Sequence, residues 1–314
     1  MSANRVRGSS GALVALLVMT AVWGSTFFVI HDLLTRLPVT DMLAVRFAMA
    51  TVALVLITGR RLRMSWSTVR AGSVLGLLYG VAQVLQTVGL AHTAASVSGF
   101  LTGLYVVATP LLAAVALRAR VTPTVWLATG LATVGLGVLS LHGFSVGYGE
   151  LLTVASALVY AVHIIVMGRL SRPGEALALS VVQVAVITLV CSVAACWPGS
   201  GRGAGLQLPT SARDWLTVAY LGVVAGALTM VLQTWAQARV EPARAAVVMA
   251  MEPVWAAAFA VAFGGERLTI RMVTGGLAIL AAMYLVELAP RRRRGDPAAE
   301  VHSPPAVPAE ETSP

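Results

Sequence analysis

Residues 71–91 read AGSVLGLLYGVAQVLQTVGLA, and residues 214–236 read DWLTVAYLGVVAGALTMVLQTWA. Each is an apolar run of about 20 residues, the length a helix needs to cross a hydrocarbon core about 30 Å thick. Each carries the same tetrad near its end, Val84-Leu85-Gln86-Thr87 in the first and Val231-Leu232-Gln233-Thr234 in the second. At the same spacing Arg120-Val121-Thr122 returns as Arg267-Leu268-Thr269. Pro110 also has a counterpart in Pro253, though not at that spacing. The chain therefore reads as two related halves.

Working outward, similar runs recur from Gly11 to Leu288. Breaking them at Pro, Gly and charge clusters gives ten spans: 11–34, 42–58, 71–91, 94–117, 124–141, 150–168, 176–197, 214–236, 243–263 and 269–288. The predicted fold is an all-α membrane protein with ten transmembrane helices in two five-helix repeats, 11–141 and 148–288. A short N-terminus (1–10) precedes them, and a tail (289–314) follows whose Arg, Pro, Ala and Glu content predicts disorder. Five spans per half is odd, so the second half enters the membrane from the opposite side, and the repeats are inverted.

Composition agrees. Of 314 residues 58% are hydrophobic and 11% charged, against about 25% charged in a soluble domain. The net charge of +9 forms no basic face with interleaved aromatics, which argues for anionic lipid rather than nucleic acid as counter-charge. All 22 basic residues are Arg. With a cytoplasmic N-terminus, sixteen lie in cytoplasmic segments, including Arg60, Arg61, Arg118, Arg169, Arg239 and Arg291 to Arg294. Five (Arg36, Arg202, Arg213, Arg267, Arg271) lie outside, and Arg46 falls within a span. That bias places both termini in the cytoplasm of a multi-pass protein of the cell membrane.

The small residues carry two readings. Gly72, Gly76 and Gly80 form a GxxxG ridge, Gly99 and Gly103 repeat it, and so do Gly222 and Gly226. Such ridges pack helices closely within a bundle or across a homodimer.

In order along the chain, Trp23-Gly24-Ser25-Thr26-Phe27, Arg46-Phe47, Gly99-Phe100-Leu101, Pro110, Glu252-Pro253 and Gly265-Glu266-Arg267 resemble the EamA-like members of the drug/metabolite transporter superfamily. The resemblance covers about Gly11 to Leu288. It implies a ten-helix inverted-repeat fold, a central cavity, and transport of metabolites, amino acids or drugs, often outward. The first half departs from the pattern with Arg118-Ala119-Arg120, so the acidic loop position is carried only by Glu266.

Helix arithmetic gives an independent view of the cavity. Trp23, Tyr79, Tyr105, Tyr160, Glu252 and Trp255 fall within about two turns of the middle of their spans, given a rise of 1.5 Å per residue. Trp and Tyr ordinarily gather at the membrane interfaces. A mid-depth layer of them either lines a partly polar pocket or packs with its hydroxyls internally satisfied. An ionised Glu252 at that depth must be paired, protonated or facing a cavity. Pro253 frees a backbone carbonyl one turn earlier. Arg46 is the partner by sign, or reaches the nearer membrane surface. Gln183 stands at the corresponding place in the second half, as Tyr160 does for Trp23. His163 is a proton-relay or core histidine. Gln83 and Gln86 are positioned to bond a solute or a neighbouring helix.

Other chemistries find no support. Cys191 and Cys196, five residues apart, face different sides of a helix, and no His or Cys group has metal spacing. Gly143-Phe144-Ser145-Val146-Gly147 matches GxSxG but lies in a turn between spans, without the strand-turn-helix elbow that a hydrolase needs. No Walker loop or dinucleotide fingerprint occurs. The expectation is a non-enzymatic secondary transporter without cofactor or metal, taking a small organic solute, with protons as the candidate coupling ion. A non-transporting sensor or scaffold is the alternative.

Overall fold

A computed structural model describes residues 2–59, 64–93, 95–117, 121–140, 147–196, 206–263 and 268–288. The tail, residues 143–146 of the GxSxG match, and the Arg118-Ala119-Arg120 and Gly265-Glu266-Arg267 segments lie outside the described residues. Among the described residues every regular element is helical. The elements are α1 (Ser2–Gly24), α2 (Thr26–Leu33), α3 (Val39–Thr58), α4 (Trp66–Leu90), α5 (Ala95–Gly103), α6 (Tyr105–Leu117), α7 (Pro123–Ser140), α8 (Tyr148–Leu170) and α9 (Ala176–Cys196). They continue with α10 (Ala212–Ala219), a π-helix (Tyr220–Leu228), α11 (Thr229–Gln237), α12 (Pro242–Met249), α13 (Glu252–Phe263) and α14 (Ile270–Leu288).

Helix is the form that satisfies every backbone N–H and C=O within one segment, which is what a continuous apolar run requires away from water. Local signals set the ends. The Ser65 hydroxyl accepts from the Thr68 N–H at the start of α4, Ser211 does the same for Asp214 at the start of α10, and Pro242 opens α12. Seven helical stretches are long and apolar enough to cross a membrane, among them 11–30, 39–58, 66–90 and 212–237. The expected fourth span is helical but interrupted, as α5–α6, and the expected fifth and tenth are the helices α7 and α14. The outer surface is apolar in the way of a lipid-facing protein. Leu56, Ile57 and Val115 are 76%, 73% and 78% exposed, an arrangement that water would penalise.

Helices from the two ends of the sequence interleave. Helix α4 packs on α8 and α9, α3 on α9 and on the π-helix, α1 on α11 and α13, and α7 on α14. The glycine ridges serve these contacts. A Cβ at Gly72 would lie 2.6 Å from Val182 Cβ, and one at Gly76 2.6 Å from the Gln183 carbonyl, so the α4 ridge is filled by α9 of the same chain. Gly222 meets the Arg46 carbonyl on α3 equally closely. These two ridges are used inside the protomer.

At one end of the bundle Arg36 ties α2 to the start of α10. Its Nε donates to Asp214 Oδ1 at 3.0 Å, and its Nη2 to Asp32 Oδ2 at 2.7 Å. Its hydrogen bonds to Asp32 and then to Asp214 hold this guanidinium above the usual arginine range.

Candidate functional site: a polar cavity at three helix breaks

Three long helices are interrupted, α1–α2 at Ser25, α5–α6 at Leu104, and α12–α13 at Ala250 and Met251. The last break has a direct chemical cause. Pro253 has no N–H to give to the carbonyl four residues back, and its ring crowds that carbonyl. The carbonyl belongs to Met249, and the Tyr105 hydroxyl from the α5–α6 break donates to it at 2.9 Å. The freed group that Pro253 predicts is thus capped by a side chain from the other half of the chain. Gly24, beside the first break, comes close enough to α13 that a Cβ would lie 2.6 Å from Trp255 Cβ and 2.8 Å from the Glu252 carbonyl.

Between these breaks lies a cavity whose walls include Trp23, Arg46, Tyr79, Gln83, Gln86, Tyr105, Tyr160 and Glu252. Eight of the eleven residues singled out from the sequence therefore share one space. Its free volume, about 50 Å³, holds a few waters. Tyr79 is the aromatic centre, edge-on to Tyr160 at 5.4 Å and to His163 at 5.3 Å, with Phe47 and Trp23 each at 6.4 Å. The Tyr160 hydroxyl sits 3.0 Å from Gln83 Oε1 and 3.1 Å from Gln86 Oε1. One proton serves both acceptors, so the pair is under-supplied with donors. Gln86 Nε2 donates to Thr102 at 3.1 Å, and Trp23 Nε1 reaches the Ala225 carbonyl of the π-helix at 3.2 Å and Thr229 Oγ1 at 3.1 Å.

The two charged members do not pair. No ion pair within 4.0 Å joins Arg46 to Glu252. Arg46 is 3% exposed; it neither reaches the membrane surface nor touches Glu252, and its Nε donates to the Leu221 carbonyl of the π-helix at 3.0 Å. Glu252 is buried as the first residue of α13.

Three expected cavity residues lie elsewhere. His163 is buried with Nε2 3.4 Å from Gln183 Oε1, and the Gln183 amide donates to Thr234 at 3.2 Å. Both are committed to joining α8, α9 and α11 behind the Tyr79 ring. Trp255 stacks toward Phe259 at 6.4 Å and turns away from the cavity. Conversely Thr26, Phe27, Thr87, Thr102, Gln233 and Met249 line it unforeseen. One signal pointed to some of them: Gln233 and Thr87 stand in the repeated tetrads. At the spacing that relates those tetrads, Gln86 corresponds to Gln233, Thr102 to Met249 and Tyr105 to Glu252, and all six line the cavity.

A multi-pass helical bundle with a buried polar cavity at broken helices defines a membrane transporter class, and the family match agrees. The EamA-like transporter family matches residues 9–141 and again 147–288; the chain belongs to that family and is a multi-pass membrane protein. It is similar to an uncharacterized transporter of Archaeoglobus fulgidus, 27% identical over 278 residues, which cover 88% of this chain and 84% of the relative. A solved structure, described only as the crystal structure of a protein, shares the fold with a TM-score of 0.71 at 17% identity, over 89% of this chain and 97% of that one.

Proposed function

We propose that the protein is a secondary transporter that exports a small organic solute by alternating access, its ten spans forming two inverted five-helix repeats. The observation that carries this reading is the cavity itself, whose wall draws corresponding residues, such as Gln86 with Gln233 and Tyr105 with Glu252, from both halves. Two consecutive family matches support the repeat. So does the packing, since the contacts of α4 with α8 and α9 are mirrored by those of α11 with α1 and of the π-helix with α3. Discontinuous helices at mid-depth are how inverted-repeat transporters place polar groups around a solute. Rocking of one half on the other would widen the small cavity toward each side in turn. Glu252 is the group suited to exchange a proton or meet a cationic group during the cycle, and export is the direction the family resemblance suggests.

The test is solute flux in proteoliposomes holding the purified protein, with Tyr105→Ala and Tyr160→Ala beside it. Loss of flux at normal expression and folding supports the reading; a sensor or scaffold would tolerate both changes, and no flux of any solute by the wild type would overturn it. The orientation, with both termini in the cytoplasm of the cell membrane, rests on the arginine count. It predicts external labelling of a cysteine placed at Ser200 but not of one at Ser303; the reverse pattern refutes it.

A further inference from the structure

Arg46 is a buried cation without a counter-ion. It lies two turns into α3, about 10 Å from the start of that helix. Only its Nε is hydrogen-bonded, to the Leu221 carbonyl, while Nη1 is buried with no partner. The Phe47 ring lies 4.9 Å from its Cζ. No carboxylate stands within ion-pair distance, although Glu252 borders the same cavity. A guanidinium held this way is costly unless something neutralises it. Gln233, which lines the same cavity and is 1% exposed, also leaves its Oε1 without a partner.

The unused part of a guanidinium is a planar fork that matches the two oxygens of a carboxylate. The bond from Nε to the π-helix fixes the plane of that fork and leaves the terminal nitrogens for a ligand. Around it the wall is aromatic, with Trp23, Phe27, Tyr79 and Tyr105, which suits an apolar or aryl body. We propose that Arg46 anchors an oxyanion of the transported solute, and that this solute is an organic carboxylate with an apolar or aromatic body. The inference rests on the transport reading of the cavity and adds the class of solute to it. When the carboxylate docks, the buried charge gains its counter-ion, so the anion is bound more tightly than a neutral analogue of the same shape.

The experiment uses the purified full chain in detergent and follows its thermal unfolding with 3-phenylpropionate, hexanoate, 3-phenylpropanamide, phenethylamine and phenylphosphonate. At least one carboxylate is expected to raise the melting temperature by about 2 °C or more at saturation, with the matched amide and the amine well below it. Arg46→Gln should remove the shift, and Arg46→Lys should keep part of it. An amide or amine that stabilises as well as the carboxylate overturns the proposal, and so does a panel in which no carboxylate stabilises. A response to phenylphosphonate alone overturns the carboxylate class. The wild-type comparison of acid with amide needs no variant, so a poorly folding Arg46→Gln does not blunt the test. Flux separates the two readings. Transport of amines or neutral solutes without carboxylates leaves the transporter reading standing and sinks this one. Carboxylate binding that depends on Arg46, without flux of any solute, does the opposite.

Discussion

The Tyr105 hydroxyl donates at 2.9 Å to the Met249 carbonyl, which is the carbonyl that Pro253 leaves without its helical donor. One hydrogen bond thus ties the break between α5 and α6 to the break between α12 and α13, and it does so beside Glu252. Tyr105→Phe strands that acceptor and should cost about 1–3 kcal/mol. Pro253→Ala restores an N–H at the right place. The double variant should therefore recover most of the stability that Tyr105→Phe loses, as read by thermal unfolding. A double variant no more stable than Tyr105→Phe alone would show that the carbonyl is satisfied in another way.

Glu252 has no ion-pair partner among the described residues, which separates its two expected uses. A structural pair would be broken by Glu252→Gln, stranding a buried partner at a cost of about 3–5 kcal/mol. Here neutralisation strands nothing, so Glu252→Gln should unfold at or above the wild-type temperature while losing most of its flux, and Glu252→Asp should keep part of it. Adding Arg46→Gln should not rescue Glu252→Gln. Wild-type flux at every pH in a stable Glu252→Gln protein would remove the carboxylate from the mechanism.

Close glycine contacts should be intolerant where the neighbour is backbone or a branched carbon. Gly24→Ala drives a methyl to 2.6 Å from Trp255 Cβ, and overpacking of that kind costs about 1–3 kcal/mol. The shift would displace the Glu252 segment, so flux should fall with stability. Gly130, with nothing within 4 Å of an added Cβ, is the control, and Gly130→Ala should unfold no lower than the wild type. Equal melting temperatures for the two variants would mean that α1 and α13 are not held as closely as described.

The Arg36 link should matter little to stability and respond to salt. Hydrogen bonds to Asp32 and then Asp214 raise its guanidinium above the ordinary arginine value, so its contribution is complete below that ordinary value and is lost only as the pH climbs through the raised one; alkaline buffers near pH 10 should leave it intact. Arg36 is 39% exposed at its side chain, and screening limits such a pair. Arg36→Gln should lower the melting temperature slightly at low ionic strength, with the difference fading at about 1 M salt. A difference that persists at high salt would show that the link acts through packing rather than charge.

Much of this was legible in the chain because it follows from local chemistry. Length and apolar content demand helices that close their own hydrogen bonds, and the repeated tetrad relates Gln86 to Gln233. Pro253 announces a free carbonyl wherever it sits in a helix. Depth arithmetic alone gathered Trp23, Tyr79, Tyr105, Tyr160 and Glu252 at one level. Sequence could not say which way a side chain turns around its helix, since that depends on what packs opposite. Trp255 shares a turn with Glu252 yet faces Phe259. Gln183 and Arg46 stand at related positions, but Gln183 is held by Thr234 while Arg46 reaches the π-helix. The tertiary structure also decided that Arg46 and Glu252 remain apart, because partners of opposite sign pair only if the helices that carry them bring the charged groups within a few ångströms. Charge, depth and the missing proline donor are properties of the chain, whereas direction and distance are fixed only when the helices meet.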